Sequence, residues 1–151
     1  MKICFCASSG GHLEEISRLT NIEKKYDSFL VTEKGSFQEL EFCDSVYYVS
    51  QLNRSEIMFL PKFIKLFFSS LRIIQKENPD CIISTGALIT YPICLVGKLK
   101  HKHIIYIESF ARIEEGSLTG KLMYRLADLF IVQWKELLKV YPNAVYGGKI
   151  F

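Results

Sequence analysis

The chain has 151 residues, a formal net charge of +3, 49% hydrophobic residues and 13% aromatic residues. This length suits one domain with its own core, over residues 1–151, and the small charge gives no support to nucleic-acid binding. The five cysteines include no C-x-x-C pair, so we expect neither a disulfide framework nor a zinc site. The apolar excess predicts a surface that meets a partner or a lipid.

The N-terminal stretch predicts a strand, a glycine turn and a helix. Residues 3–7 form an apolar run, and Ser9, Gly10 and Gly11 interrupt it just before His12. The helical face that follows carries Leu13, Ile16, Leu19 and Ile22. Glycines let the backbone approach a ligand, and a helix start offers N–H groups to an anion. The alternative is a tight turn with a surface histidine.

The next segments read as short elements. Residues 29–32 and 45–49 are predicted strands. Between them, Ser36 and Glu39 have the spacing of a capping box, which predicts a helix over residues 37–42.

Residues 57–77 carry the strongest helical pattern. Its apolar positions are Leu60, Phe63, Ile64, Phe67, Phe68, Leu71 and Ile74. The stripe is typical of a helix packed on a sheet. Its basic neighbours and the apolar residues before it also suit a membrane surface. In that interpretation the membrane-contact residues are Met58, Phe59, Phe63 and Phe67.

A second glycine turn follows the next predicted strand, residues 81–84. Thr85 and Gly86 precede a predicted helix over residues 87–97. The carboxyl ends of parallel strands share one edge, so this turn should lie beside the first. A hydroxyl and a glycine there suit a sugar or phosphate oxygen, although they could equally cap the helix.

A carboxylate follows the strand predicted at residues 104–107. Glu108, Ser109 and Arg112 should reach the same edge of the sheet. Glu108 could accept a proton or bind sugar hydroxyls. Alternatively, it could pair with Arg112 or cap a helix.

The remaining pattern completes an alternation of strands and helices. It predicts a helix at residues 121–127, a strand at residues 129–132 and a short helix at residues 135–141. The fold class is therefore α/β, a doubly wound, Rossmann-like parallel sheet.

Several motifs together resemble a known family over almost the whole chain. They lie at residues 8–13, 84–86, 106–112, 117–121, 126–128, 130–134 and 146–148. The chain resembles the capsular and exopolysaccharide biosynthesis subunits of the PssD/CpsF type. These are bacterial relatives of the membrane-recruiting subunit of the split N-glycan UDP-GlcNAc transferase. Such proteins resemble the N-terminal domain of a GT-B glycosyltransferase such as MurG.

The resemblance implies a function shared between two chains. This chain would bind a lipid-diphosphate-linked acceptor, and a second glycosyltransferase chain would bind the UDP-sugar and complete the enzyme. His12 or Glu108 would be the general base of an inverting transfer. The acceptor and its phosphates would contact Ser9, Gly10, Gly11, Thr85, Gly86, Ser109 and Arg112. No cofactor or metal is implied, and the chain alone should be nearly inactive.

The sequence also bears on location. It has no apolar run long enough for a membrane span and no signal peptide, whereas eukaryotic relatives carry an N-terminal span. We therefore expect a cytoplasmic protein, peripheral at the inner face of the plasma membrane. The alternative function is a noncatalytic activator that stabilises and recruits a catalytic partner.

Overall fold

A computed structural model describes residues 1–34, 42–52 and 58–151. Its strands are β1 (Lys2–Ala7), β2 (Asp27–Glu33), β3 (Ser45–Val49), β4 (Cys81–Gly86), β5 (His103–Ile107), β6 (Leu129–Val132) and β7 (Val145–Tyr146). Its α-helices are α1 (Gly11–Ser17), α2 (Thr20–Glu23), α3 (Phe59–Glu77), α4 (Thr90–Leu99) and α5 (Leu118–Met123). A 3₁₀ helix spans Lys135–Lys139.

The strands form one parallel sheet in the order β3-β2-β1-β4-β5-β6-β7. The chain runs outward from β1 in one direction and then from β4 in the other. This confirms the predicted doubly wound, Rossmann-like sheet. The reversal between β1 and β4 opens a crevice at the carboxyl ends of the strands, where such sheets bind ligands.

Alternating strand residues supply two cores, one on each face of the sheet. On one face, Cys4 and Cys6 of β1 pack with side chains from α3, α4 and α5. On the other, Ile3 and Phe5 pack with α1 residues such as Leu13. Apolar side chains on both faces explain why the central strands read as continuous apolar runs.

Helix α3 occupies the predicted region, but its buried face differs from the predicted stripe. The residues that it buries are Leu66, Ser70, Ile73 and Ile74. Leu60, Ile64 and Phe68 belong to the predicted stripe and are 63%, 49% and 55% exposed. The helix ends at Glu77, because the next residue, Asn78, has a left-handed conformation and is followed by a proline.

The first helical segment breaks in two. The sequence pattern predicts one helix through Ile22, whereas α1 ends at Ser17 and α2 begins at Thr20. The Ser17 hydroxyl donates to the Glu14 carbonyl at 2.8 Å, a local bond that competes with helix continuation.

The second glycine turn is longer than predicted. Thr85 and Gly86 belong to β4, and α4 begins at Thr90 rather than at residue 87. Ala87 has φ of 64°, which is not helical. The Thr90 hydroxyl donates to the Ala87 carbonyl at 2.8 Å and holds this turn.

Of two other predicted helices, one is present with a different start and the other lies almost entirely outside the described residues. The helix predicted at residues 121–127 is α5, which begins earlier, because Ser117 caps it by accepting from the Gly120 N–H. The helix predicted at residues 37–42 and its capping box lie outside the described residues, except for Phe42, which is buried.

Candidate functional site

A cavity of about 570 Å³ lies at the carboxyl ends of the strands. Its walls include His12, Glu33, Ala87, Arg112, Ser117 and Leu118. These residues follow or end β1, β2, β4 and β5, so four neighbouring strands deliver them to one place. The structure thus brings together the segments that sequence reasoning assigns separately to the site.

His12 lies in the first turn of α1 and is held on several sides. The Thr85 hydroxyl donates to the His12 carbonyl at 2.8 Å and ties α1 to β4. Gly86 has φ of +125°, and a Cβ there would lie 3.0 Å from Cε1 of the ring. Glycine at position 86 therefore makes room for the imidazole. The His12 side chain remains 30% exposed and borders the cavity.

Glu15 is a residue that sequence reasoning missed. One carboxylate oxygen accepts from the Ser109 hydroxyl at 2.9 Å and from the Phe110 N–H at 3.0 Å. The other lies 3.7 Å from Nδ1 of His12. The available signal was the spacing of three residues between His12 and Glu15, which puts both on one face of a helix.

Glu108 reaches the predicted edge but is fully buried. Its carboxylate accepts from the Ser117 N–H and hydroxyl, the Ser109 N–H and the Tyr141 hydroxyl. Burial and the nearby carboxylate raise the pKa of Tyr141, which keeps that phenol protonated as a donor. Glu108 does not itself cap a helix, because the N-cap of α5 is Ser117; Glu108 instead accepts hydrogen bonds from that capping residue.

Three of the remaining predicted ligand residues use their side chains within the protein. The Thr85 hydroxyl is buried, and the Ser109 hydroxyl is bonded to Glu15. Ser9 donates to Glu33 at 3.0 Å. Each of these three side chains thus positions a neighbour within the protein.

Three backbone or charged positions remain open to a ligand. A Cβ added at Gly10 or at Gly11 would meet no atom within 4 Å, and Gly10 has φ of +78°, which favours glycine. Arg112 is exposed and borders the cavity. An anionic group in the cavity would therefore meet the Arg112 guanidinium. Gly11 instead lines a separate pocket, together with Glu14 and Glu15.

The predicted membrane residues lie at the start of α3. Met58 is exposed, whereas Phe59, Phe63 and Phe67 are half-buried. Phe59 and Phe63 stack on each other with ring centroids 5.8 Å apart, and Phe67 packs against the core. From residue 58 onward, where the structure describes this region, the strongly exposed apolar residues are Met58, Leu60, Ile64 and Phe68.

Residues 1–34, 42–52 and 58–151 contain neither a metal-binding cluster nor a membrane-spanning helix. In these ranges, no three His, Cys, Asp or Glu side chains come together in a way that could hold a metal ion. No helix in the same ranges is both long and apolar enough to span a bilayer.

Comparison with protein families gives a match over nearly the whole chain. The family model described as "Oligosaccharide biosynthesis protein Alg14 like" matches residues 3–150. A human protein named "UDP-N-acetylglucosamine transferase subunit ALG14" is 32% identical over 181 residues, which cover 99% of this chain and 83% of that protein. The Candida glabrata protein of the same name is 55% identical over 80 residues, 52% of this chain and 33% of that protein.

Solved structures match at the level of the fold. MurG from Acinetobacter baumannii superposes with a TM-score of 0.73 at 14% identity, over 90% of this chain and 43% of MurG. A UDP-GlcNAc 2-epimerase from Neisseria meningitidis, bound to UDP-GlcNAc, superposes with a TM-score of 0.73 at 14% identity, over 99% of this chain and 47% of the epimerase. This chain thus spans less than half of either protein. The predicted likeness to the GT-B fold is confirmed.

Proposed function

Because the chain belongs to the Alg14-like family of oligosaccharide biosynthesis proteins, we propose that it is the acceptor-binding, membrane-recruiting subunit of a two-chain UDP-sugar transferase. The observation that carries this proposal is the cavity beside His12, at the carboxyl edge of a sheet related to part of MurG. The curated relatives are named as subunits of a UDP-N-acetylglucosamine transferase. UDP-GlcNAc is therefore the donor that we propose, bound by a second glycosyltransferase chain.

The acceptor in this proposal carries a lipid-linked diphosphate. Arg112 offers positive charge and hydrogen-bond donors at the cavity, and the exposed backbone of Gly10 and Gly11 comes directly before His12 in the chain. An apolar groove of about 420 Å³ shares Leu88 and Leu118 with the cavity and has Lys121 and Arg125 in its walls. Apolar walls with basic side chains suit a lipid chain that begins at a diphosphate.

The chemistry in this proposal uses His12 as the general base. His12 accepts the proton of the acceptor hydroxyl while that oxygen bonds to C1 of the sugar. The bond from C1 to the UDP oxygen breaks, and UDP leaves with the electron pair, so the configuration at C1 inverts. Glu108 lies too deep to touch the acceptor, and its hydrogen bonds instead keep the loop before α5 in place.

Membrane contact in this proposal comes from the start of α3. Met58, Leu60, Ile64 and Phe68 expose apolar side chains, and Lys65 and Arg72 are exposed on α3. An apolar surface with basic residues favours the interface of an anionic bilayer.

The inner face of the plasma membrane, a bacterial PssD/CpsF-type origin and a role in capsule or exopolysaccharide synthesis stay predictions from the sequence.

A noncatalytic activator is the second candidate, and the burial of Glu108 favours it. With Glu108 inaccessible, His12 is the remaining general-base candidate of the two that the sequence offers. If His12 is also structural, all the chemistry falls to the partner. The subunit would then recruit and stabilise the catalytic chain.

Reconstituted sugar transfer separates these functions. GlcNAc transfer from UDP-GlcNAc to a lipid-diphosphate-linked acceptor is measured with each chain alone and with both, for wild type and His12→Ala. We expect transfer only with both chains, and a loss of roughly 10²-fold or more in the variant, the scale of a missing general base. Co-purification shows whether the variant still binds the partner. Full activity in His12→Ala would support the activator, and transfer by this chain alone would refute both functions.

A further inference from the structure

Two buried polar atoms in the candidate site face each other without a partner. Among the described residues, the buried side-chain atoms that lack a hydrogen bond are Nδ1 of His12, Oε2 of Glu15 and Oγ1 of Thr32. The first two lie 3.7 Å apart. A buried unpaired donor or acceptor costs free energy, and a movement of less than about 1 Å would give a normal hydrogen bond between these two. Each atom is thus the natural partner of the other.

From this pairing we infer that Glu15 is a positioning residue for His12. It accepts a hydrogen bond from Nδ1–H and so leaves Nε2 free to take a proton from the acceptor. The inference rests on the proposed function, since it assumes that His12 is the base. It adds a residue on α1 and a fixed tautomer to that function.

The Glu15 carboxylate is well placed for this role because its other oxygen is already held. Oε1 accepts from the Ser109 hydroxyl and the Phe110 N–H, both from the segment after β5. The side chain is only 14% exposed. Two donors on Oε1 fix the plane of the carboxylate, so Oε2 remains directed at His12.

The imidazole is held from the opposite side. Gly86 leaves space for the ring, and the bond from Thr85 to the His12 carbonyl fixes the backbone beneath it. Because Nδ1 is buried and the side chain is 30% exposed, its exposed surface belongs to its other atoms, and the residue borders the cavity.

The chemistry of imidazole gives this arrangement its consequence. A neutral imidazole has one N–H donor and one acceptor nitrogen, and the partner of one nitrogen decides the state of the other. A carboxylate at Nδ1 makes that nitrogen the donor, so Nε2 becomes the acceptor. When Nε2 takes a proton, the same carboxylate stabilises the imidazolium. Among the described residues that line this cavity, the other charged side chains are Glu33 and Arg112.

The Glu15→Gln variant tests the inference without removing the support for the loop. The amide oxygen can still accept from Ser109 and Phe110, so the variant should fold. The amide NH₂ then faces Nδ1 and donates to it, which makes Nδ1 the acceptor and puts the proton on Nε2. Glu14→Gln is the matched control, because Glu14 is exposed on the same helix and pairs with Arg18.

The first readout is the tautomer, measured by ¹⁵N NMR of the histidine rings in the isolated chain above neutral pH. His101 and His103 are exposed and serve as internal references. We expect His12 to be the Nδ1–H tautomer in wild type and in Glu14→Gln, and to change tautomer in Glu15→Gln. A wild-type His12 with the same tautomer mixture as the two references would overturn the inference.

The second readout is sugar transfer with the partner chain and a lipid-diphosphate acceptor. We expect kcat of Glu15→Gln to fall at least about 10-fold with KM nearly unchanged, which is less than the loss in His12→Ala. Unchanged kcat in Glu15→Gln while His12→Ala is inactive would overturn the positioning role. If His12→Ala is fully active, the base assignment in the proposed function fails, and the positioning role fails with it. The NMR result separately reports whether the pair exists.

Discussion

Glu108 and His12 were both predicted to lie in the site for the same reason, namely that polar residues after parallel strands meet at one edge of the sheet. The structure places both at that edge and gives them different environments: the Glu108 carboxylate is buried and accepts hydrogen bonds from Tyr106, Ser109, Ser117 and Tyr141, whereas the His12 ring borders the cavity. One of these donors, Tyr141, lies 33 residues later in the chain. A pattern of neighbours in sequence carries no signal for such a contact.

Replacing Glu108 tests its structural role. In Glu108→Gln the amide NH₂ faces N–H and O–H donors, so at least one buried donor loses its acceptor. We expect the free energy of unfolding to fall by about 3 kcal/mol, measured by urea denaturation. Glu115→Gln, an exposed change in the same loop, should have almost no effect. A Glu108→Gln protein of wild-type stability without transfer activity would make Glu108 a catalytic residue after all.

Glu15 also depends on contacts between residues that are distant in sequence, although it was missed rather than predicted. Its spacing from His12 is visible in the sequence, but its anchoring by Ser109 and Phe110 joins residues 94 and 95 positions apart. Only the pairing of β1, β4 and β5 in one sheet brings these segments together. The residue type and the helix face were therefore predictable, and the partner was not.

At the scale of elements, α3 shows how far an apolar pattern can be trusted. Its length and its end at residue 77 were predicted closely, because the helical spacing and the following proline are strong local signals. The face that α3 packs against the sheet was not predicted, because apolar residues cover more than one side of the helix. The side that is buried carries Leu66, Ile73 and Ile74. Other apolar residues then remain exposed.

That exposed side predicts binding to membranes. Ile64→Glu places a charge among the exposed residues of α3, so binding to vesicles that contain anionic lipid should fall at least about 10-fold in a sedimentation assay. Leu99→Glu is the matched control: Leu99 is 65% exposed, at the opposite edge of the sheet from the cavity, and its replacement should leave binding unchanged. Equal loss in both variants, or in neither, would contradict a membrane surface on α3.

The other end of α3 predicts a dependence of stability on pH. The Glu77 carboxylate lies 2.5 Å from the Lys2 ammonium and accepts from the Tyr47 hydroxyl. The hydrogen bond from Lys2, then that from Tyr47, lowers the pKa of Glu77. A carboxyl group with a lowered native pKa stabilises the fold above its unfolded pKa, near about 4.3, and loses that contribution as the pH falls through the native value.

Glu77→Gln should remove this dependence. We expect the variant to be less stable than wild type by about 1 kcal/mol at pH 7, with the difference shrinking as the pH falls below about 4. Urea denaturation between about pH 3 and pH 7 measures it, and Glu136→Gln, an exposed site, provides the control. Parallel stability curves for wild type and Glu77→Gln would show that the contacts do not lower the native pKa.

At the scale of the whole molecule, the order of element types was sufficient to predict the fold. Alternating strands and helices specify a doubly wound sheet, and that topology gathers the carboxyl ends of β1, β4 and β5 around one cavity. The sequence did not show which polar side chains would form hydrogen bonds within the protein and so be unavailable to a ligand. Thr85, Ser109 and Glu108 were predicted to act on or meet the acceptor, and their hydrogen bonds instead hold His12, Glu15 and Ser117.

Binding by the isolated chain tests the central claim, that this subunit carries the acceptor side of the transferase. Isothermal titration compares a lipid-diphosphate-linked sugar acceptor with UDP-GlcNAc, for wild type and Arg112→Ala. We predict that the chain binds the acceptor, that Arg112→Ala weakens this binding at least about 10-fold through the loss of a charge-assisted contact, and that UDP-GlcNAc does not bind. Binding of UDP-GlcNAc without binding of the acceptor would contradict the account.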